Sequence, residues 1–130
     1  MNTAAKNILI IDDDITSLDI VSFLIEENGY NVTRCTDGRS AIEYVKSTKP
    51  DLIIVDLMMP FLNGTETVKQ IRQLERGNAP IIVFTAIDDS SMHADALAAG
   101  CDKVLTKPCN SKKLIEIIQY FLIKTSTPHC

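Results

Sequence analysis

The chain has 130 residues, of which 45% are apolar and 23% are charged, and this composition predicts one ordinary globular domain. The formal net charge is −4, and no basic stretch indicates a surface for nucleic acid. No apolar run has membrane-spanning length, and Met1–Lys6 lacks the apolar core of a signal peptide. We therefore expect neither a nucleic acid nor a membrane as a partner.

Four cysteines are spaced neither as a C-x-x-C pair nor as a zinc finger. Cys35, Cys101 and Cys109 fall in or beside predicted core elements, where a free thiol behaves as a small apolar side chain. The fourth, Cys130, is the last residue. We expect reduced thiols and a soluble protein of the cytoplasm.

Five short apolar runs alternate with segments long enough for helices. This alternation predicts βα units, and therefore an α/β fold with a parallel sheet and helices on both of its faces. The predicted strands are Ile8–Ile11, Asn31–Cys35, Leu52–Val55, Ile81–Phe84 and Lys103–Thr106.

Capping residues predict where the five helices begin and end, because Asp, Asn and Ser favour the first turn and Gly favours the end. The predicted helices run from near Asp14 to Asn28-Gly29, from Asp37-Gly38 to before Pro50, from Asn63-Gly64 through Leu74 to before Gly77, from about Asp89-Ser90 to Gly100, and from Asn110 or Ser111 to about Ile123.

These elements leave no room for a second domain. We predict one domain over residues 1–130, with a core of about 7–123 and a flexible polar tail at 124–130. Met1 and the short tail favour a natural single-domain chain, although excision from a longer protein stays open.

Polar side chains follow four of the predicted strands. Asp12 and Asp13 follow the first strand, Asp56 the third, Thr85 the fourth and Lys107 the fifth. Because parallel strands end at one edge of a sheet, three carboxylates, a hydroxyl and an ammonium converge there. Taken singly, each could be a turn or capping residue. Their joint position predicts a functional site.

The chemistry of this group favours a metal ion and a phosphoryl group. Three adjacent carboxylates repel one another unless a cation binds, and a site of few carboxylates with water and phosphoryl oxygens suits Mg²⁺ better than Ca²⁺. A carboxylate beside Mg²⁺ can attack phosphorus and form an aspartyl phosphate. Lys107 and Thr85 would then neutralise or hydrogen-bond the phosphoryl oxygens.

At this point the chain resembles the receiver domain of two-component response regulators, in the single-domain form of chemotaxis regulators. The resemblance covers Asn7 to about Ile123. The motifs that carry it are Asp12-Asp13 after Ile8–Ile11, Asp56-Leu57-Met58-Met59-Pro60, Asn63-Gly64, Thr85-Ala86, Ala96–Gly100 and Leu105-Thr106-Lys107-Pro108.

The resemblance implies a flavodoxin-like (βα)5 fold with strand order 2-1-3-4-5. It also implies a metal site, in which Asp13 is a direct Mg²⁺ ligand and Asp12 binds the ion through water. Asp56 and the Met58 backbone carbonyl are the remaining ligands that the protein would supply. Asp56 is the implied phosphoacceptor.

Thr85 and Lys107 are the implied contacts of the phosphoryl group, and the family implies a cis peptide bond before Pro108. The implied function is a phosphorelay switch rather than a metabolic enzyme. A sensor histidine kinase or a phosphotransfer protein would phosphorylate it, and an unknown downstream protein would read it. We expect a monomer or a weak dimer through the faces of the fourth and fifth helices.

The chain departs from the family at two places. Val104 stands three residues before the lysine, where the family usually has Tyr or Phe, so the usual swinging ring is missing. Phe61-Leu62 stands where glycine is common. Met58 and Ile87, which flank the approach of hydrolytic water in the family, are apolar here and predict slow dephosphorylation.

Two alternatives remain. A phosphatase of the haloacid dehalogenase type also uses a strand-end aspartate, but it needs a second aspartate two residues later, where this chain has Met58. A pseudo-receiver that only docks partners would have lost an acidic or lysine position, and none is lost.

Overall fold

Within residues 5–126, five strands and five helices alternate, as the sequence predicts. The computed structural model describes residues 5–126, with side chains through residue 123. The strands are β1 (Asn7–Ile11), β2 (Asn31–Cys35), β3 (Leu52–Val55), β4 (Ile81–Thr85) and β5 (Lys103–Thr106). The helices are α1 (Ile15–Glu27), α2 (Gly38–Ser47), α3 (Gly64–Arg72), α4 (Ser90–Ala99) and α5 (Ser111–Ser126).

The strands form one parallel sheet of order β2-β1-β3-β4-β5, which confirms the flavodoxin-like topology. Ile11 of β1 pairs with Val55 of β3, and Thr85 of β4 pairs with Thr106 of β5. Val55 pairs in turn with Val83 of β4, so β4 and β5 extend two residues beyond β1 and β3. The residues that follow the four strands lie along one edge of the sheet.

The sheet is covered on both faces, which is why β3 is apolar at every position. All four of its residues are buried. One core contains Leu9, Ile11 and side chains of α2, α3 and α4, and the other contains Ile8, Ile10 and side chains of α1 and α5. Alternate residues of a strand thus point into different cores.

The predicted caps hold the helix ends. Asp14, Asp37, Asn63 and Asp89 each accept a hydrogen bond from an amide of the first turn. Gly100 closes α4 with φ of 123°, a left-handed conformation that glycine adopts readily. The four N-terminal caps fix where the loops at the functional edge enter their helices.

Helix α3 ends earlier than predicted, at Arg72, so Leu74 lies beyond it. The chain tightens there because the Leu74 amide donates to the Ile71 carbonyl at 2.9 Å, three residues back. The Arg72 guanidinium donates to the carbonyls of Gly77 and Ala79 at 2.7 and 2.6 Å, which stabilises this turn.

Helix α5 is longer than predicted, since it continues to Ser126. The first three residues of the predicted tail are therefore helical, and residues 127–130, with Cys130, lie outside the described range. Among residues 5–126 no helix is both long and apolar enough to cross a bilayer.

The three described cysteines are unpaired and belong to the cores, as predicted. Cys101 is buried, while Cys35 and Cys109 are half-buried against the core residues.

Candidate functional site

Lys107 joins two of the strand-end carboxylates. Its Nζ donates to Asp12 Oδ2 at 2.9 Å and to Ser17 Oγ at 2.8 Å, and it lies 3.5 Å from Asp56 Oδ2. The ammonium also lies 5.3 Å from the centre of the Phe84 ring, a distance at which the ring attracts a cation. Lysine and aspartates from three strands therefore meet as the sequence predicts.

Asp12 is held from both sides. Its Oδ1 accepts a hydrogen bond from the Asp14 amide at 2.9 Å, while Oδ2 accepts the one from Lys107. The residue is only 5% exposed. A buried carboxylate costs free energy unless it is paired in this way, so Asp12 and Lys107 stabilise each other's position.

Asp56 stands at the mouth of the site, where its side chain is 13% exposed. Its backbone amide donates to the Ile11 carbonyl at 3.0 Å, which continues the pairing of β3 with β1. The first residue of α3, Gly64, packs directly against it: a Cβ there would lie 2.2 Å from the Asp56 carbonyl oxygen. Glycine at that point lets α3 close the loop behind the carboxylate.

Thr85 is fully buried at the end of β4. Its hydroxyl oxygen accepts a hydrogen bond from the Ile87 amide at 3.2 Å, and its carbonyl accepts one from the Lys107 amide at 2.6 Å. The threonine thus links β4 to the chain that carries the lysine. The bond between Lys107 and Pro108 is cis, as the resemblance implied.

Asp13 and Met58 lie on the exposed rim. Asp13 is exposed, and Met58 is 60% exposed, with its amide 3.4 Å from Asp56 Oδ1. Within residues 5–126 no three His, Cys, Asp or Glu side chains are already gathered as a metal site. The predicted ligand set therefore needs Asp13 to turn inward.

The donors present fit Mg²⁺ in their chemistry. Asp12 and Asp56 already face one cation, the Lys107 ammonium, at 2.9 and 3.5 Å, and Asp13 would add a third carboxylate once it turned inward. Three carboxylates against one ammonium leave two negative charges, which a divalent ion would neutralise. Oxygen donors at an edge open to water suit Mg²⁺, which keeps several waters of its own.

Phe61 has an unusual conformation in the loop after β3. Its φ is 68° and its side chain is 97% exposed. Few residues other than glycine, Asn and Asp adopt this left-handed region, which explains why glycine suits the position. The phenylalanine therefore carries both backbone strain and an exposed ring.

Sequence reasoning missed Ser17, although its hydroxyl is one of the two hydrogen-bond acceptors of Lys107. Ser17 lies in the first turn of α1, three residues after the capping Asp14. Helical side chains point back toward the N-terminus, and the N-terminus of α1 faces the functional edge. The direction of side chains in a helix was therefore the one sequence signal for the contact between Ser17 and Lys107.

The arrangement places a carboxylate, Asp56, at an open mouth with an ammonium behind it and a second carboxylate beside that ammonium. Such a group can bind a cation and a phosphoryl group together, because positive charge is available for the phosphoryl oxygens. Met58 and Phe61, in the loop that follows Asp56, point into solvent.

Comparison with known proteins agrees with this geometry. Residues 8–119 match the response regulator receiver domain family. The chain is 33% identical over 114 residues to the chemotaxis protein CheY of Thermotoga maritima, which covers 87% of this chain and 94% of that protein. It is 35% identical over 109 residues to the alkaline phosphatase synthesis transcriptional regulatory protein PhoP of Bacillus subtilis. This alignment covers 84% of this chain and 45% of PhoP. The chain thus spans about half the length of curated relatives such as PhoP.

Solved structures share the fold over nearly the whole chain. The receiver domain of the sensor histidine kinase PA1611 from Pseudomonas aeruginosa, which has a magnesium ion coordinated in its active-site cleft, is 29% identical with a TM-score of 0.86. The match covers 92% of this chain and 98% of the PA1611 receiver domain. The chemotaxis protein CheY4 of Vibrio cholerae is 30% identical with a TM-score of 0.85, covering 91% and 99%. This chain belongs to the response regulator receiver domain family.

Proposed function

We propose that the chain is a phosphorelay switch that accepts a phosphoryl group on Asp56 from a partner's phosphohistidine, with Mg²⁺ as cofactor. The observation that carries this proposal is the contact of one ammonium with two strand-end carboxylates, at 2.9 Å from Asp12 and 3.5 Å from Asp56. A scaffold or a docking-only domain has no need to keep this triad at an open mouth.

The transfer is a substitution at phosphorus. An oxygen of Asp56 forms a bond to phosphorus as the bond from phosphorus to the donor's imidazole nitrogen breaks, and the nitrogen keeps that electron pair and takes up a proton. Lys107 lies close enough to Asp56 to pair with the phosphoryl oxygens that arrive there. Thr85 would offer its hydroxyl to another of them.

Asp12, Asp13, Asp56 and the Met58 backbone carbonyl would hold the Mg²⁺. The ion would supply positive charge to the oxygens of the phosphoryl group in the transition state. We further propose that this chemistry is directed only at the protein itself, as phosphorylation and slow self-dephosphorylation, so the chain has no metabolic substrate.

The surface of α1 supports a sensor histidine kinase or a phosphotransfer protein as the partner. Ile20 and Phe23 of this helix are 64% and 67% exposed. Ile20 also lines a groove of about 300 Å³ that reaches Lys107 and Pro108. Exposed apolar side chains beside a reactive site mark a docking surface, and here docking would bring the phosphohistidine over Asp56.

The expected place of action is the cytoplasm, where reduced thiols such as those of Cys35, Cys101 and Cys109 persist. The downstream partner is a protein. A weak dimer through α4 and α5 stays a prediction.

Intact mass measurement tests the proposal. With phosphoramidate and Mg²⁺ the protein should gain one phosphoryl group, and it should gain none with EDTA or in Asp56→Asn. Equal labelling of Asp56→Asn would refute the assignment.

A further inference from the structure

Helix α4 is tied to Thr85 through one intervening residue. The Ile87 amide donates to the Thr85 hydroxyl oxygen at 3.2 Å, and the Ile87 carbonyl lies 2.7 Å from His93 Nε2. His93 is in the first turns of α4. The two bonds use the two backbone polar groups of the same residue, so Ile87 cannot move without disturbing one of them.

A carbonyl oxygen only accepts hydrogen bonds, so His93 Nε2 must carry the proton. The ring is half-buried, which makes the bond costly to break without a replacement. His93 is also anchored through its own amide, which donates to the Asp89 carbonyl at 3.0 Å.

The first turn of α4, which carries His93, is capped by Asp89. Asp89 accepts hydrogen bonds from the Ser91 hydroxyl and from the amides of Ser91 and Met92. These bonds, with the Ser91 hydroxyl first, hold the pKa of Asp89 below its ordinary value. A displacement of the Ile87 carbonyl therefore acts on the helix as a whole rather than on a frayed end.

The side chain at Val104 gives the site no comparable link. Val104 is half-buried in the core cluster that also contacts Ile87, and a β-branched side chain has one strongly preferred χ1 rotamer. It cannot follow a displacement of Thr85 by rotating. By contrast, the path through Ile87 consists of two hydrogen bonds, from the Ile87 amide to the Thr85 hydroxyl and from His93 Nε2 to the Ile87 carbonyl.

We propose that His93 is the positioning residue that couples α4 to the phosphoacceptor site, by holding the Ile87 carbonyl while the Ile87 amide follows the Thr85 hydroxyl. This rests on the proposed function, since Thr85 must respond to a phosphoryl group. When the Thr85 hydroxyl turns to the phosphoryl oxygen, Ile87 shifts and the first turn of α4 shifts with it.

The test uses the full chain and beryllofluoride with Mg²⁺ as the probe. Amide chemical-shift changes of Ser90–His93 are measured by NMR in the wild type, in His93→Leu, which removes the donor, and in His93→Gln, whose amide replaces Nε2. Asp95→Ala, at an exposed position of the same helix, is the matched control.

In the wild type, in His93→Gln and in the control, beryllofluoride should change the amide chemical shifts of Ser90–His93. In His93→Leu these changes should be at most half as large. Equal shifts in His93→Leu, or no shifts of α4 in the wild type, would overturn the coupling. Labelling of Asp56 by phosphoramidate is measured in parallel: if the coupling alone is wrong, labelling persists, whereas absent labelling counts against the proposed function.

A second measurement needs no variant. The ¹⁵N shifts of the His93 ring at a pH where the ring is neutral should show the tautomer with the proton on Nε2. A proton on Nδ1 instead would leave two acceptors facing each other at 2.7 Å and would overturn the inference even if His93→Leu failed to fold.

Discussion

Lys107 is bound to Asp12 at 2.9 Å and is only in looser contact with Asp56, at 3.5 Å. Lys107 and the proposed Mg²⁺ would compete for Asp12, and Asp56, the proposed phosphoacceptor, is the less tightly held of the two acids.

Removing this ammonium should strengthen Mg²⁺ binding. Lys107→Met keeps the length of the side chain but leaves Asp12 and Asp56 with no cation, so we expect the Kd for Mg²⁺ to fall roughly tenfold, a modest share of the Coulomb energy of a charge a few ångströms away. Titration calorimetry measures this. Lys103→Met, which removes an exposed lysine at the start of β5, is the control and should leave the Kd unchanged. A weaker Kd in Lys107→Met would contradict the competition.

Asp13→Ala should abolish tight Mg²⁺ binding without unfolding the protein. Asp13 is exposed on the rim, so its loss removes a ligand while the free energy of unfolding stays within about 0.5 kcal/mol of the wild type. Calorimetry and urea denaturation measure the two quantities. Glu75→Ala, an exposed acid away from the edge, controls for the change in net charge. Unaltered Mg²⁺ affinity in Asp13→Ala would remove this residue from the ligand set.

Loss of the phosphoryl group should be slow because neither flanking side chain can orient water. Met58 is exposed and Ile87 half-buried beside the site, and both are apolar. Met58→Asn with Ile87→Glu should speed the decay of labelled protein roughly tenfold, below the contribution of a full general base. Leu97→Glu, which places the same acid on an exposed part of α4, should leave the decay unchanged. Decay as slow as in the wild type would show that these positions do not gate the water.

Cys101 predicts a pH dependence that is separate from the site. Burial, and then the charge of Asp102, raise the pKa of this thiol from 9.0 to about 11. The unfolded chain therefore loses the proton near pH 9 while the folded chain keeps it to about pH 11, so stability is intact below pH 9 and falls between these values. Over that pH window the urea midpoint of the wild type should fall more steeply with pH than the midpoint of Cys101→Ala. Parallel curves would contradict the raised pKa.

Much of the site follows from the sequence because parallel strands end at one edge. Asp12, Asp56 and Lys107 follow three such strands, so their meeting needed only the βα alternation. The contacts of Ser17 and His93 depend on side-chain rotamers inside helices, which residue spacing does not specify. The positive φ of Phe61 was equally hidden, because phenylalanine rarely adopts it.

The end of α3 at Arg72 could not be predicted from periodicity either. Leu74 continues the apolar pattern of the helix, but the carbonyls of Gly77 and Ala79 reach back to the Arg72 guanidinium. These contacts, five and seven residues along the chain, hold the turn that follows the helix and are not visible in the apolar pattern. Local pattern thus predicts which elements exist better than where they end.

The most direct test of the central claim is to locate the phosphoryl group by residue. Protein labelled with phosphoramidate and Mg²⁺ is reduced with borohydride, which converts an aspartyl phosphate to homoserine, and its peptides are then sequenced by mass spectrometry. The account predicts homoserine at position 56, and none in the sample with EDTA. Homoserine at Asp12 or Asp13 with Asp56 unmodified, or labelling that does not depend on Mg²⁺, would contradict it.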